Sequence, residues 1–345
     1  MDSLQAQDQQ HGGLLTMAWP ADAAPAPELS VVVPIYDEEE NIPVLYERLT
    51  GALAALGIGY EIIAVDDGSH DRSFAFLREL ARADRRLRVV RFRRNFGQTA
   101  AFTAGFERAR GDVVVTIDAD LQNDPADIPR LLEKIAEGYD VVSGWRAHRQ
   151  DAFWDRRLPS IIANRLISLV TGLRLHDYGC SLKAYRREVV QDLQLYGELH
   201  RFIPAIASWQ GVQVAELAVN HEPRRFGSSK YGIGRTLRVM LDLMTVRFLL
   251  SYATRPMQIF GLVGLLLSGV GGLILGYLGF VRLVLGEPIS ARPLTLLGVL
   301  VMVLGIQFIS IGLLGEMIVR SARGGQQNSI YRVREELNAD AVPAD

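Results

Sequence analysis

Cysteine is almost missing from this chain: among 345 residues only Cys180 carries a thiol. That excludes an intramolecular disulfide framework and a cysteine-rich zinc site, and it makes the cytoplasm the natural compartment. Cys180 itself is expected to pack as a small buried hydrophobe. Charge of one sign is lacking too. The formal net charge is −2, so whole-chain charge points to no nucleic acid or other strongly charged partner. Six histidines, among them His148, His176, His200 and His221, include no pair at helical i, i+4 spacing and read as structural or solvated rather than as metal ligands. Neither a G-x-x-x-x-G-K-[ST] run nor a Rossmann glycine fingerprint occurs, which leaves kinase and dehydrogenase readings without support. Residues 1–28 are rich in Gln, Ala, Asp and Pro. They hold neither a basic n-region nor a sustained apolar h-region, and read as a disordered tail rather than a signal peptide.

Long apolar runs, by contrast, are plentiful: hydrophobic residues make up 49% of the chain. From Leu29 the texture is a β-branched run, a turn, then a helical pattern, repeated. The runs are "LSVVVPI", "YEIIAVDD", "LRVVRF", "DVVVTID" and "DVVSG", separated by segments such as Glu39 to Leu56 and Phe74 to Ala83. Runs without strict alternation suit strands covered on both faces, so 29–225 is expected to be an α/β domain with a mostly parallel sheet.

After about residue 225 the texture changes. Ile259 to Val281 has no charge over 23 residues and Leu294 to Gly315 none over 22, each enough for a hydrocarbon core of about 30 Å. Two transmembrane helices, within 257–317, are expected to follow the soluble domain. Arg224, Arg225, Lys230, Arg235, Arg238, Arg247 and Arg255 precede the first, and Arg320, Arg323, Arg332 and Arg334 follow the second, whereas the loop between holds only Arg282 and Arg292. Basic flanks put the α/β domain and the 318–345 tail in the cytoplasm. The 226–256 segment, basic with "LRVMLDLMTVRFLL", reads as an interfacial helix, and Trp154 to Thr171 is a second amphipathic candidate.

The acids cluster at strand ends. "VVTIDADLQNDP" (Val114 to Pro125) puts Asp118 and Asp120 just past the fourth run, where open α/β sheets bind ligands. Alternation along an extended chain would send both side chains to one side. Two carboxylates there, with Gln122 as a further oxygen donor, suit Mg²⁺ or Mn²⁺. "VPIYDEEENI" and "VDDGSHDRS" end the first and second runs with acids as well. Each alone reads more readily as a helix cap. Three acidic strand ends in one sheet suit a ligand carrying a base, a ribose and metal-bound phosphates.

"SVVVPIYDEEENI", "VDDGSHDRS", "RNFGQTAAFTAGFERARGDVVVTIDADLQNDP", "DYGCSLKAYRREV" and "RRFGSSKYG", in this order and followed by two spans, resemble the polyprenyl-phosphate glycosyltransferases of glycosyltransferase family 2, which have the GT-A fold. The resemblance covers roughly Leu29 to Glu336. It implies nucleoside contacts at Pro34, Tyr36, Glu38 and Asp67, metal and diphosphate contacts at Asp118, Asp120 and Gln122, and a phosphate-contacting Arg146. It also implies an acceptor-phosphate site at Arg156 and Ser160, with Arg157 as an alternative, and at Arg225, Ser229 and Lys230 in a basic loop. Asp37 stands where many members have Asn. The resemblance further implies membrane lipid as surroundings, a bacterial inner-membrane location and a homo-tetramer. By this likeness UDP-glucose or a related UDP-sugar is the favoured donor and GDP-mannose the alternative. A processive polysaccharide synthase would need a Q-x-x-R-W motif and more spans, which the sequence lacks. A non-catalytic membrane scaffold would not need the intact "DADLQ". Direct attack by the acceptor, with no candidate covalent nucleophile, implies inversion at the anomeric carbon.

Overall fold

The computed structural model describes residues 27–147, most of 164–223, and 256–288, 292–322 and 330–339. All five apolar runs are strands: β1 (Leu29–Ile35), β2 (Tyr60–Asp66), β3 (Leu87–Phe92), β4 (Val113–Thr116) and β5 (Val141–Trp145). Helices α1 (Ile42–Ala54), α2 (Ser73–Ala83), α3 (Gln98–Arg108) and α4 (Ile128–Ala136) alternate with them. Beyond these come β6 (Lys183–Arg186), α5 (Arg187–Gln191), α6 (Ile203–Trp209), β7 (Val214–Ala218), the long α7 (Pro256–Leu283) and α8 (Pro293–Ala322), and finally β8 (Val333–Leu337).

The strands form one sheet in the order β7-β5-β6-β4-β1-β2-β3-β8. β1 pairs in parallel with β2 and β4, β2 with β3, and β5 with β7; β6 and β8 run antiparallel to their neighbours. The lack of alternation has a plain cause. Val32, Ile63, Val65 and Val90 pack with Phe102 and Phe106 of α3 on one face, while Val31, Val33, Ile62 and Val89 pack with Leu45, Leu49, Phe74 and Leu77 on the other. Both faces are dry, so both parities must be apolar.

Two local choices shape the functional edge. Val32 accepts from the Ile117 N–H at 3.1 Å, and the β1–β4 ladder ends at Val32–Thr116. Pro34, of the same parity, therefore faces a side where the ladder has stopped and no donor is required. Gly68 has φ +74°, and a Cβ there would come within 2.5 Å of the Arg94 carbonyl carbon, so only glycine lets the loop after β2 approach the loop after β3.

The 318–345 segment, expected to be a tail, contains β8. That strand adds to the β3 edge, with Tyr331 stacked on Phe92 at 4.8 Å and the Asn338 amide donating to the carbonyls of Ala81 (2.7 Å) and Leu87 (2.8 Å).

Met257–Leu283 and Pro293–Ile318 are long and apolar enough to cross a membrane, with mean hydropathy 2.2 and 2.5. They pack on each other through glycines: a Cβ at Gly264 would lie 2.6 Å from the Gly305 carbonyl oxygen, and one at Gly305 only 2.5 Å from the Ser268 nitrogen. Much of their described surface away from that contact is exposed Leu, Val and Ile, unlike a helix buried in a globular core. Residues 226–255 and most of Trp154 to Thr171 lie outside the described residues, as do 1–26.

Candidate active site

The parallel strands deliver their ends to one edge of the sheet, and strand order becomes an order of side chains. Reading from β3 towards β5, the row is the Phe96–Gly97 loop, Asp67 after β2, Tyr36 to Glu38 after β1, Asp118 and Asp120 after β4, residues 177–183 entering antiparallel β6, and Arg146 after β5. This is the edge at which open α/β sheets bind ligands.

At the β2 end, both Asp67 oxygens accept main-chain N–H bonds, from Phe96 (2.7 Å) and Gly97 (2.9 Å). Burial, with Asp66 adding, pushes this carboxyl up to about 6 against those two bonds. Tyr36 meets the His70 ring edge-on at 6.2 Å; burial and then the Asp37 charge raise its phenol.

Neither N-cap residue, Asn41 of α1 nor Arg72 of α2, makes a side-chain cap bond, although Asp71 accepts from the Ser73 N–H at the start of α2 (2.9 Å). The two loops also cap each other. Asp37 accepts from the His70 N–H (2.8 Å) and Glu39 from the Arg72 N–H (2.8 Å), while Ser69 and Ser73 accept from the N–H groups of Asp37 (3.0 Å) and Glu38 (2.9 Å). Asp37 sits at φ +50°, a left-handed conformation that Asp and Asn tolerate best among non-glycine residues. Exchange between those two residues there fits the backbone.

Asp118 and Asp120 come together by a different route from the one the sequence suggests. β4 stops at Thr116, Ala119 and Asp120 lie in a turn, and Leu121 has φ +60°. A turn, not extended alternation, converges the pair. Desolvation and then the Asp120 charge push Asp118 up to about 6, against the pull of Ser181, Arg146 and Lys183. Asp118 also accepts from the Gln98 amide at 2.7 Å, and Asp120 from the Gln122 N–H at 3.2 Å. Two desolvated carboxylates that repel each other form a donor set that fits a hard divalent cation, with phosphate and water oxygens completing the shell. Among the described residues no group of three or more His, Cys, Asp or Glu adds ligands. The Gln122 main-chain carbonyl accepts from the Glu222 N–H at 2.9 Å.

Arg146 is gripped bidentately by Asp177, Nε to Oδ2 at 2.6 Å and Nη2 to Oδ1 at 3.0 Å. Burial opposes its charge, but the Asp177 pair outweighs burial and holds the guanidinium above its ordinary value. Lys183 is buried and donates to the carbonyls of Cys180 and Tyr178, with burial lowering its pKa.

Arg156, Ser160, Arg225, Ser229 and Lys230 lie outside the described residues. The chain leading to the last three is seen: His221 bridges to Asn123, Glu222 donates to Gln122, and Arg48 of α1 ties Glu222 (2.6 Å) and Asp124 (3.2 Å) together. His221 and Glu222, among the last described residues before Arg225, thus lie beside the Asp118–Gln122 turn.

A galacturonate synthase named for dodecaprenyl phosphate, from Rhizobium johnstonii, is 45% identical over 314 residues, 89% of this chain and 92% of that protein. The family model "Glycosyl transferase family 2" matches residues 30–194. The chain belongs to glycosyl transferase family 2. Undecaprenyl-phosphate 4-deoxy-4-formamido-L-arabinose transferases are also similar to this glycosyltransferase. The one from Aeromonas hydrophila is 39% identical, covering 92% of this chain and 96% of its own, and that from Pseudomonas aeruginosa 44%, covering 85% of each. Glucosyl-3-phosphoglycerate synthase from Mycobacterium tuberculosis, solved with Mn²⁺ and UDP, superposes with a TM-score of 0.51 at 20% identity, over 64% of this chain and 80% of that one. Its likeness gives this glycosyltransferase the GT-A fold.

Three site residues escape a reading of the sequence. Asp177 and Lys183 lie inside "DYGCSLKAYRREV", and Gln98 inside "RNFGQTAAF", so their motifs were visible while their partners were not.

Proposed function

We propose that this family 2 enzyme transfers one sugar from a nucleotide-sugar to polyprenyl phosphate at the cytoplasmic face of a bacterial inner membrane, with inversion at the anomeric carbon. The observation that carries the reading is the pairing of Asp118 and Asp120 with a partly buried, bidentately held Arg146 on one sheet edge. The similar relatives, named for transfer to dodecaprenyl and undecaprenyl phosphate, support the acceptor class.

The donor lies along the strand ends. Tyr36 and Asp67 take the nucleoside side, together with Pro34 and Glu38. Asp118, Asp120 and Gln122 hold Mg²⁺ or Mn²⁺ beside the diphosphate. A bound divalent cation neutralises the charge that grows on the leaving diphosphate. Arg146 supplies a fixed positive charge at the same group, already oriented by Asp177 before substrate arrives. The acceptor needs no general base, because a phosphate monoester with a second pKa of about 6 is largely dianionic at neutral pH. It needs cations to bring it against a second anion, and Arg156, Ser160, Arg225, Ser229 and Lys230 take that role. Glu222, held on the Gln122 carbonyl, supports this reading, because it brings the chain that leads to Arg225 to the turn carrying Asp118 and Asp120.

The names of the relatives move the expected sugar away from glucose towards a UDP-linked uronic acid or a 4-formamido-arabinose. The test is a panel: purified full-length protein with undecaprenyl phosphate, Mn²⁺ and labelled UDP-galacturonate, UDP-4-deoxy-4-formamido-L-arabinose, UDP-glucose or GDP-mannose. Labelled lipid from either of the first two supports the proposal. Lipid labelling from GDP-mannose alone overturns the donor class, and labelling from none overturns the function.

A further inference from the structure

Glu216 lies on the edge strand β7, opposite Ser143 in the β5–β7 ladder, with no place among the expected site residues. Its carboxylate nevertheless collects four contacts from one dipeptide. It accepts the His176 N–H at 2.8 and 3.1 Å, the Asp177 N–H at 3.0 Å, and lies 2.7 Å from His176 Nδ1. An edge-strand acid satisfied by solvent would have no reason to gather two consecutive main-chain amides and a ring.

Two dipeptides are thereby locked side by side. Trp145–Arg146 leaves β5, and His176–Asp177 approaches β6. The Trp145 and His176 rings stack at 4.4 Å with 23° between planes, and one step along, the Arg146 guanidinium meets the Asp177 carboxylate in the bidentate pair. Asp177 has little freedom left: it is 4% exposed on its side chain, and its Oδ1 also accepts the Gly179 N–H at 3.0 Å. Gly179 lets the guanidinium in, since a Cβ there would lie 3.1 Å from Arg146 Nη2.

We infer that Glu216 is a positioning residue for the donor's terminal phosphate, acting through the His176–Asp177 backbone to fix the direction of the Arg146 guanidinium. The charged end of Arg146 hangs on a long side chain whose rotamer freedom is costly to remove when a ligand binds. Glu216 removes it in advance: it pins the main chain that carries Asp177, and Asp177 pins Arg146. A carboxylate suits this contact set, because both main-chain N–H groups can only donate and its two oxygens accept from them. β7 lies on the opposite side of β5 from β6 and β4 in the sheet, so among the described residues Glu216 reaches the donor edge through His176 and Asp177. The inference rests on the proposed phosphate role of Arg146.

The experiment compares UDP with UMP, because only UDP carries the β-phosphate. Affinities of the full-length protein for each, with Mn²⁺, are measured by calorimetry for wild type, Glu216→Gln, Arg146→Ala and the double variant. The expected result is a roughly tenfold loss of UDP affinity in Glu216→Gln with UMP affinity unchanged, and no further loss when Glu216→Gln is added to Arg146→Ala. An equal loss for UDP and UMP, or a Glu216→Gln loss that persists undiminished without Arg146, makes the role merely structural and overturns the inference. If Arg146→Ala weakens UDP while Glu216→Gln does not, the inference alone fails. If Arg146→Ala itself leaves UDP affinity intact, the phosphate role of Arg146 fails and the inference with it. Glu216→Asp, which keeps the charge and shortens the reach by one carbon, gives the same discrimination if Glu216→Gln does not fold.

Discussion

Asp177→Asn isolates the pair at the centre of the site. The change is nearly isosteric, but it replaces one of two oxygens facing Arg146 with an amide nitrogen whose hydrogens oppose guanidinium hydrogens. In the native pair the contacts are 2.6 and 3.0 Å, between side chains only 15% and 4% exposed. At least one charge-assisted bond of about 1.5–3 kcal/mol is lost. The guanidinium also keeps its burial with its contacting carboxylate gone, and removal of one partner from a buried pair costs about 3–5 kcal/mol. The two figures overlap near 3 kcal/mol. For a domain of roughly 200 residues, at about 2–4 °C per kcal/mol, that is a drop of about 6–12 °C in the unfolding midpoint. Tryptophan fluorescence during heating reads it, helped by Trp145 stacked beside the pair. Arg146→Ala/Asp177→Asn should be less destabilised than the sum of the two single variants, since removing both partners leaves no orphaned charge. A midpoint within about 2 °C of wild type for Asp177→Asn would refute the claim that this pair holds Arg146 in place.

Asp120→Asn should lower turnover by orders of magnitude with the unfolding midpoint little changed, because the loss falls on leaving-group stabilisation; full activity in that variant or in excess chelator removes the metal assignment. Asp118, raised to about 6 when no cation is bound, takes up a proton as pH falls through that value, and cation binding requires the ionised form. Mn²⁺ affinity should therefore be nearly flat above about pH 7 and fall up to tenfold per unit below about 6, with Asp118→Asn abolishing the dependence; a flat titration from pH 5 to 8 in wild type contradicts it. For orientation, a cysteine at Ser290 with the buried Cys180 replaced should react with an impermeant thiol reagent in intact cells, and labelling only after lysis reverses the topology.

What the sequence displayed and what it hid follow from how far apart the interacting groups lie. Strands β1 to β5 were legible because each is a run buried on both faces, a signal contained in four to seven consecutive residues. The edge strand β7, "VAELA", and β8, "VREEL", are short and partly polar, and β8 is held by partners such as Arg78, Arg108 and Phe92 more than two hundred positions away. Antiparallel β6 was hidden in a motif read for its chemistry. At the site, the acids betrayed themselves by standing at strand ends. The groups that orient them did not: Gln98 reaches Asp118 across 20 positions, Asp177 reaches Arg146 across 31, and Glu216 reaches Asp177 across 39. Local propensity also misdirected one inference. Acids at helix starts usually cap their own helix, whereas Asp37 and Glu39 cap the neighbouring loop, an exchange set by the parallel adjacency of β1 and β2.

The central claim is a transfer of sugar alone onto a lipid monophosphate, and the most direct measurement is the nucleotide released. With the accepted UDP-sugar, Mn²⁺ and undecaprenyl phosphate, the account predicts UDP in step with a lipid that carries one phosphate and one sugar, and no release when the lipid phosphate is omitted or Asp120 is Asn. Release of UMP with a lipid diphosphate, or UDP release that a water-soluble alcohol supports as well as undecaprenyl phosphate does, would contradict it.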